Sequence, residues 1–212
     1  MRVVSLCPSL TETVFRLGRG HMLVGRTKFC VEPADAVAAV ERVGGTKNPK
    51  LERIVALAPD LVLMNEEENR REDAEALSAQ GVRVLSTFAR DVAGAAAAVL
   101  EIGAAIGASS EAQEMAAQLT ARAAEVAARA QSRPPRGFVY LIWQQPWMAV
   151  APGTYIDGLL RLAGGANLIT SSAVRYPEVD QATLEQAELI LLSSEPFPFA
   201  EKHRAELRQL VA

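Results

Sequence analysis

The side chains best placed to bind or react directly follow short apolar runs. Cys7 stands between the run 3–6 and Pro8, at the head of a helix. A helix dipole there lowers a thiol's pKa and would favour a nucleophilic thiolate. A phosphatase-like loop, however, needs Cys-x5-Arg, and position 13 is Thr. Neither His21 nor His203 is placed to pair with the thiol. Neither a glycine-rich phosphate loop nor a G-x-S-x-G elbow occurs, so a Cys7-dependent α/β enzyme is the weaker alternative. Cys7 and Cys30 are read as buried thiols, with a disulfide after export or soft metal ligation as the other readings. Their spacing is not that of a zinc site, and no resident metal is expected.

Other candidates are binding residues. The run 61–64 leads into Asn65-Glu66-Glu67-Glu68-Asn69, whose adjacent carboxylates repel unless solvent or a cation relieves them. They are either a solvated helix start that offsets the dipole or, through Glu66 and Glu67, contacts to a cationic or metal-bearing ligand. Trp143, Pro146, Trp147 and Met148 gather both tryptophans just after another apolar run. Such a group is a wall for a large rigid ligand or the cap of a core. Pro8, Phe29, Tyr176 and Glu195 also fall where strands end.

The elements that would position them are α/β. Of 212 residues, 50 % are apolar, 22 % charged and 5 % aromatic, which supports a real core and favours helix-rich α/β over an all-β sandwich. A net charge of −3 argues against nucleic acid as a partner. No apolar run reaches the ~18 residues of a membrane span. Strands are predicted over 3–6, 23–26, 61–64, 82–85, 138–143 and 189–192. Helices are predicted over 33–40, 51–58, 69–80, 91–106, 155–163 and 201–210. An S-x-x-E box, Ser9 to Glu12, would cap a first helix with Leu10, Val14 and Leu17 on one face and Gly18 as its stop. A helix over 110–131, about 30 Å long, is marked by the stripe Met115, Leu119, Ala123 and Val126 and can cross between two lobes. Thr154 and Asp157 would cap the helix over 155–163, and Gly164 would end it.

Three segments carry a resemblance: residues 2–12 (RVVSLCPSLTE), Val43-Gly44-Gly45-Thr46, and residues 51–63 (LERIVALAPDLVL). Thr154-Tyr155-Ile156-Asp157, leading to Gly164-Gly165-Ala166-Asn167, adds a fourth. In this order they resemble the substrate-binding proteins of metal-chelate ABC importers, the helical-backbone class that includes cobalamin and siderophore binders. The resemblance implies two Rossmann-like lobes with parallel sheets, 1–107 and 134–212, joined by a backbone helix over 108–133, the second lobe being incomplete. It also implies a chelate such as cobalamin or a ferric siderophore held in the cleft between the lobes, and no intrinsic cofactor or catalysis. Phe29 and Tyr176 match aromatic ligand contacts, whereas Thr46 stands where the cobalamin binder has tryptophan. The expected ligand-facing set is Cys7, Pro8, Phe29, Glu66, Glu67, Trp143, Trp147, Met148, Tyr176 and Glu195.

The same resemblance implies delivery to an ABC permease with its ATPase, a monomer, and a periplasmic location. Glu52 matches a glutamate that docks onto permease arginines. Glu185 is the second-lobe candidate, although Ala182 stands at the counted place. Met1-Arg2 is followed at once by an apolar run, without a signal segment. That feature alone would also fit a cytosolic two-lobe chelate sensor.

Overall fold

The computed structural model describes residues 1–171 and 173–211; Ser172 and Ala212, in the expected second lobe, lie outside the described residues. Two compact units divide the chain: Met1–Phe88 with Gly94–Gln118, and Ala89–Ala93 with Leu119–Ala212.

In the first unit the apolar runs become β1 (Val3–Ser5), β2 (Leu23–Arg26), β3 (Glu41–Arg42), β4 (Leu61–Asn65) and β5 (Val84–Thr87). All pair in parallel, in the order β3-β2-β1-β4-β5. β1 and β4 are adjacent, Val3 opposite Leu61 and Ser5 opposite Leu63. Both are buried at consecutive positions, because helices cover both faces of a parallel sheet. Val4, Leu6, Val62 and Met64 share a core with Ile54 of α3 (Leu51–Ala56) and Leu77 of α4 (Arg71–Ala79). α1 (Pro8–Arg16) buries Leu10 and Val14, and Leu17 completes the stripe. α2 (Ala34–Val37) is one turn, shorter than predicted.

α5 (Val92–Ala105) and α6 (Ser109–Ala130) meet at Gly103, where a Cβ would lie 2.2 Å from that of Ala112. Arg19 fastens the turn between them, Nη2 donating to the Gly107 carbonyl at 2.9 Å and to Glu111 at 3.0 Å. α6 has 22 residues and runs from the first unit into the second. Ala112 and Ala116 are its buried positions, and the stripe Met115, Leu119, Ala123 and Val126 is half-buried.

In the second unit β6 (Arg136–Trp143) is central. β8 (Gly165–Asn167) pairs in parallel with its first three residues, and β9 (Leu189–Leu192) with Phe138–Leu141. β7 (Met148–Ala149) runs antiparallel against Leu141 and Trp143, so this sheet is mixed where a parallel one was expected. The reversal between β6 and β7 is too short for a parallel crossover; it turns through Gln145 at φ 63. Val139, Leu141 and Ala149 pack with Leu184 of α8 (Gln181–Glu185) and Leu207 of α9 (Glu201–Leu210). α7 (Tyr155–Leu162) is capped as predicted, Thr154 Oγ1 accepting from the Asp157 amide at 3.3 Å. The buried Asp157 carboxylate accepts from Arg161 Nε at 2.9 Å and Asn167 Nδ2 at 2.8 Å.

The expected fold class, two α/β units with one long helix extending from one into the other, is the fold observed. Several local expectations are corrected. The Ser9–Glu12 box does not form: Pro8 takes the first helical position, where its fixed φ suits a helix and its missing N–H costs nothing. Cys7 is therefore the extended residue before the helix, and Ser9 lies inside it. The strand predicted over 82–85 lies at Val84–Thr87, because the Val82 amide donates to the Leu77 carbonyl and closes the exit of α4. Among the described residues no helix is long and apolar enough to cross a membrane.

Candidate ligand-binding site

The carboxyl ends of five parallel strands share one edge of the first sheet, the edge beyond which open α/β sheets bind their ligands. Asn69 ties that edge together. Buried, it donates from Nδ2 to the Leu6 carbonyl after β1 at 3.0 Å and to the Thr46 carbonyl after β3 at 2.9 Å. Its Oδ1 accepts from the Asn65 amide at 2.8 Å. These partners lie 63 and 23 positions away in sequence, beyond the reach of any local pattern.

Asn65 Oδ1 accepts from the amides of Glu67 (2.9 Å) and Glu68 (3.2 Å), folding the acidic run into a turn ahead of α4. The first turn of that helix is filled instead by Glu72 and Asp73, so the run is not the helix start. Glu66 and Glu68 are exposed and Glu67 half-buried, with Lys47 Nζ 2.5 Å from the Glu67 carbonyl oxygen. Phe29 is 51 % exposed after β2. Lys28 Nζ stands 4.9 Å from its ring centroid, and a Cβ at Gly45 would lie 3.5 Å from its ring. Pro8 is half-buried and Thr46 buried at the same edge.

Cys7 is buried, Sγ lying 3.4 Å from Ser9 Oγ. Burial pushes its thiol up, opposite to the lowering expected from the helix dipole, and only partly countered by Ser9. Such a thiol is protonated at neutral pH and a poor nucleophile. Cys30 is buried too, its Sγ 3.1 Å from Thr27 Oγ1, and both cysteines are free.

In the second unit the carboxyl ends of β6 and β9 carry an aromatic cluster. Trp143 is 41 % exposed and meets Phe197 edge-on at 5.3 Å. Trp147 stacks on Phe199 at 6.1 Å with nearly parallel planes, and His203 packs edge-on against Phe197 and Phe199. His203 Nδ1 accepts from the Ala200 amide at 2.8 Å, making it a helix-capping residue. Trp147 is half-buried and packs one side against the core, while Trp143 is 41 % exposed.

Met148 is half-buried in β7, bridged to Glu178. The strip around half-buried Tyr176 is laced to β7 and the residues that follow it, the amides of Ala149 and Ala151 donating to the Pro177 and Arg175 carbonyls at 2.9 Å each. Glu195 is exposed beyond β9, beside Ser193, whose buried Oγ has no hydrogen-bond partner among the described residues. Sequence reading missed Ser193 and Asn69.

Glu52 is exposed in the first turn of α3. Glu185 is exposed at the end of α8, accepting from Gln181 Nε2 at 2.8 Å. A groove of about 690 Å³, lined by Val126, Phe138, Leu160, Leu189 and Leu191, lies toward the amino-terminal part of β6, away from Trp143. Among the described residues no three His, Cys, Asp or Glu side chains are grouped to hold a metal.

Comparison with known proteins agrees with this architecture. The vitamin B12-binding protein of Vibrio campbellii is 25 % identical over 194 residues, 91 % of this chain and 70 % of that protein. The crystal structure of the periplasmic vitamin B12-binding protein of Vibrio cholerae superposes at a TM-score of 0.85 with 23 % identity, over 100 % of this chain and 83 % of that one. A periplasmic heme-binding protein from Pseudomonas aeruginosa follows at 0.80 with 25 % identity, over 98 % and 76 %. These relatives are binding proteins, not enzymes. The family profile described as periplasmic binding protein matches residues 3–194, and this chain belongs to that family.

Proposed function

We propose that this protein captures a metal chelate and delivers it to an ABC permease with its ATPase. The observation that carries this reading is the pair Phe29 and Trp143. Of the described phenylalanine, tyrosine and tryptophan residues they alone are exposed, at 51 % and 41 %, and each stands at or just beyond the carboxyl end of a strand. Burying one such side chain stabilises a complex by about 1.5–3 kcal/mol. Flat or bulky chelates offer the apolar surface that does so. The names of the relatives, vitamin B12-binding and heme-binding, favour corrinoid or porphyrin chelates, with a ferric siderophore the other member of the class.

In this reading Phe29, Trp143, Trp147, Met148 and Tyr176 supply the apolar wall. Cys7 and Pro8 belong with Phe29 at the edge of the first sheet, and Glu66, Glu67 and Glu195 are polar contacts. Residues 1–107 and 134–212 are the binding lobes and 108–133 the backbone helix, working as a periplasmic monomer. Glu52 and Glu185 dock onto the permease. Titration with cyanocobalamin, haemin and ferrichrome, followed by chelate absorbance, tests this. At least one chelate binds the unaltered chain, and Phe29→Ala and Trp143→Ala each weaken it by about tenfold or more. Affinity unchanged in both variants would overturn the reading.

A further inference from the structure

The first unit holds a second feature that the aromatic wall does not use. Beyond β2 and β3 lies a pocket of about 370 Å³, lined by Lys28, Arg42, Gly44, Gly45, Asn48 and Lys50, with Arg53 at its margin. Its floor is glycine by necessity. Gly44 has φ +115, and a Cβ at Gly45 would sit 2.4 Å from Asn48 Oδ1. Arg53 is neutralised by an ion pair with Glu41. Lys28, Arg42 and Lys50 form no ion pair with a carboxylate among the described residues, and Lys28 Nζ lies over the Phe29 ring.

Opposite Arg42 in the pairing of β2 with β3, Arg26 is buried and surrounded by carbonyls. It donates to Val37 (2.9 Å), Cys30 (2.9 Å) and Thr27 (3.3 Å), with no carboxylate among these partners. Burial, and then the neighbouring Arg42 guanidinium, push the Arg26 guanidinium down. Three positive side chains, Lys28, Arg42 and Lys50, thus line the pocket without an ion-paired acid among the described residues, and Arg26 adds a fourth charge next to Arg42, on a chain whose net charge is −3. Unpaired guanidinium and ammonium groups around a pocket attract anions, carboxylates and phosphates above all.

We infer that the pocket of Lys28, Arg42, Asn48 and Lys50 binds the carboxylate or phosphate groups of an anionic ligand, and that this protein takes chelates bearing such groups in preference to neutral ones. The preference for chelates rests on the proposed function above; the anion pocket itself does not. Phe29 joins the two, since one face of its ring lies under Lys28 and its edge approaches Gly45, so a chelate on the ring would place peripheral acids within reach of the pocket.

The test uses the full chain, Arg42→Gln, Lys50→Gln and the double variant. All the altered side chains are exposed, so the variants keep the fold, which circular dichroism verifies. Inorganic pyrophosphate is titrated by calorimetry, and haemin is compared with its dimethyl ester by absorbance. Pyrophosphate should bind the unaltered chain, weaken with added salt, and lose about tenfold or more of its affinity in the double variant. Haemin should weaken similarly in the double variant while the ester does not. If pyrophosphate binds as expected but no chelate does, the anion pocket stands and the chelate reading fails. If haemin and its ester bind equally, in the unaltered chain and the double variant alike, the chelate reading stands and the preference falls. Pyrophosphate affinity unaffected by the double variant overturns the pocket.

Discussion

Replacing Asn69 by Asp changes one polar group at nearly constant volume, and its cost follows from three distances. Nδ2 supplies the donors for the Leu6 and Thr46 carbonyls at 3.0 and 2.9 Å, while Oδ1 accepts from Asn65 at 2.8 Å. A carboxylate retains the last bond and loses both donors. Each buried carbonyl left without a donor costs about 1–3 kcal/mol, and placing a charge beside them adds to it. Partial relaxation reduces the sum, and a destabilisation of about 2–4 kcal/mol is expected. The protonated carboxyl can still donate to one carbonyl, so the introduced group has a folded pKa raised above its unfolded value of about 3.9. The deficit is therefore largest above the folded pKa and shrinks as the pH falls through it toward the unfolded value.

The assay must report on the first unit. Both tryptophans lie in the second, so indole fluorescence is the wrong probe. Urea unfolding followed by far-ultraviolet circular dichroism, with hydrogen exchange of peptides from β1 and β4, is the right one. A shift under ~0.5 kcal/mol, or one that grows as the pH is lowered, would refute the reasoning.

Three further outcomes are expected. Gly158→Ala would bring a Cβ to 2.5 Å from the Arg90 carbonyl oxygen, a backbone atom, and should cost about 1–3 kcal/mol in a thermal or urea melt. The Asp180 carboxyl is held low by the Thr183 hydroxyl and amide at the start of α8. Its contribution is complete above the unfolded Asp value of about 3.9 and disappears as the pH falls through the lower folded value, so Asp180→Asn should flatten the acid limb of the stability–pH curve. Glu52→Arg should abolish uptake in a transport assay with the permease while chelate affinity stays unchanged; intact transport would remove the docking role.

Much of the fold was legible because burial on both faces leaves a mark that needs no partner to be seen. β1, β4 and β9 read as continuous apolar runs, and α1 and α7 as spaced apolar positions. β3, β7 and β8, with two, two and three residues, were missed because they form by pairing with a neighbour already in place. The Ser9 box was misread because Pro8 sets the helix start by its ring, a signal present in the sequence and outranked by the S-x-x-E pattern. Positions at strand ends, such as Phe29 and Trp143, could be placed from the strands alone. Asn69 could not, since its partner Leu6 lies 63 positions away, and neither could the basic pocket, whose lining comes together only once β2 and β3 pair.

The central claim, that this family member carries a metal chelate, meets its most direct test in native mass spectrometry. The full chain is mixed with cyanocobalamin, haemin and a ferric siderophore, and the gas-phase masses are read after desalting. One chelate retained at one per chain, and lost on Phe29→Ala with Trp143→Ala, is the predicted result. A chain that keeps its fold and retains none of the three contradicts it.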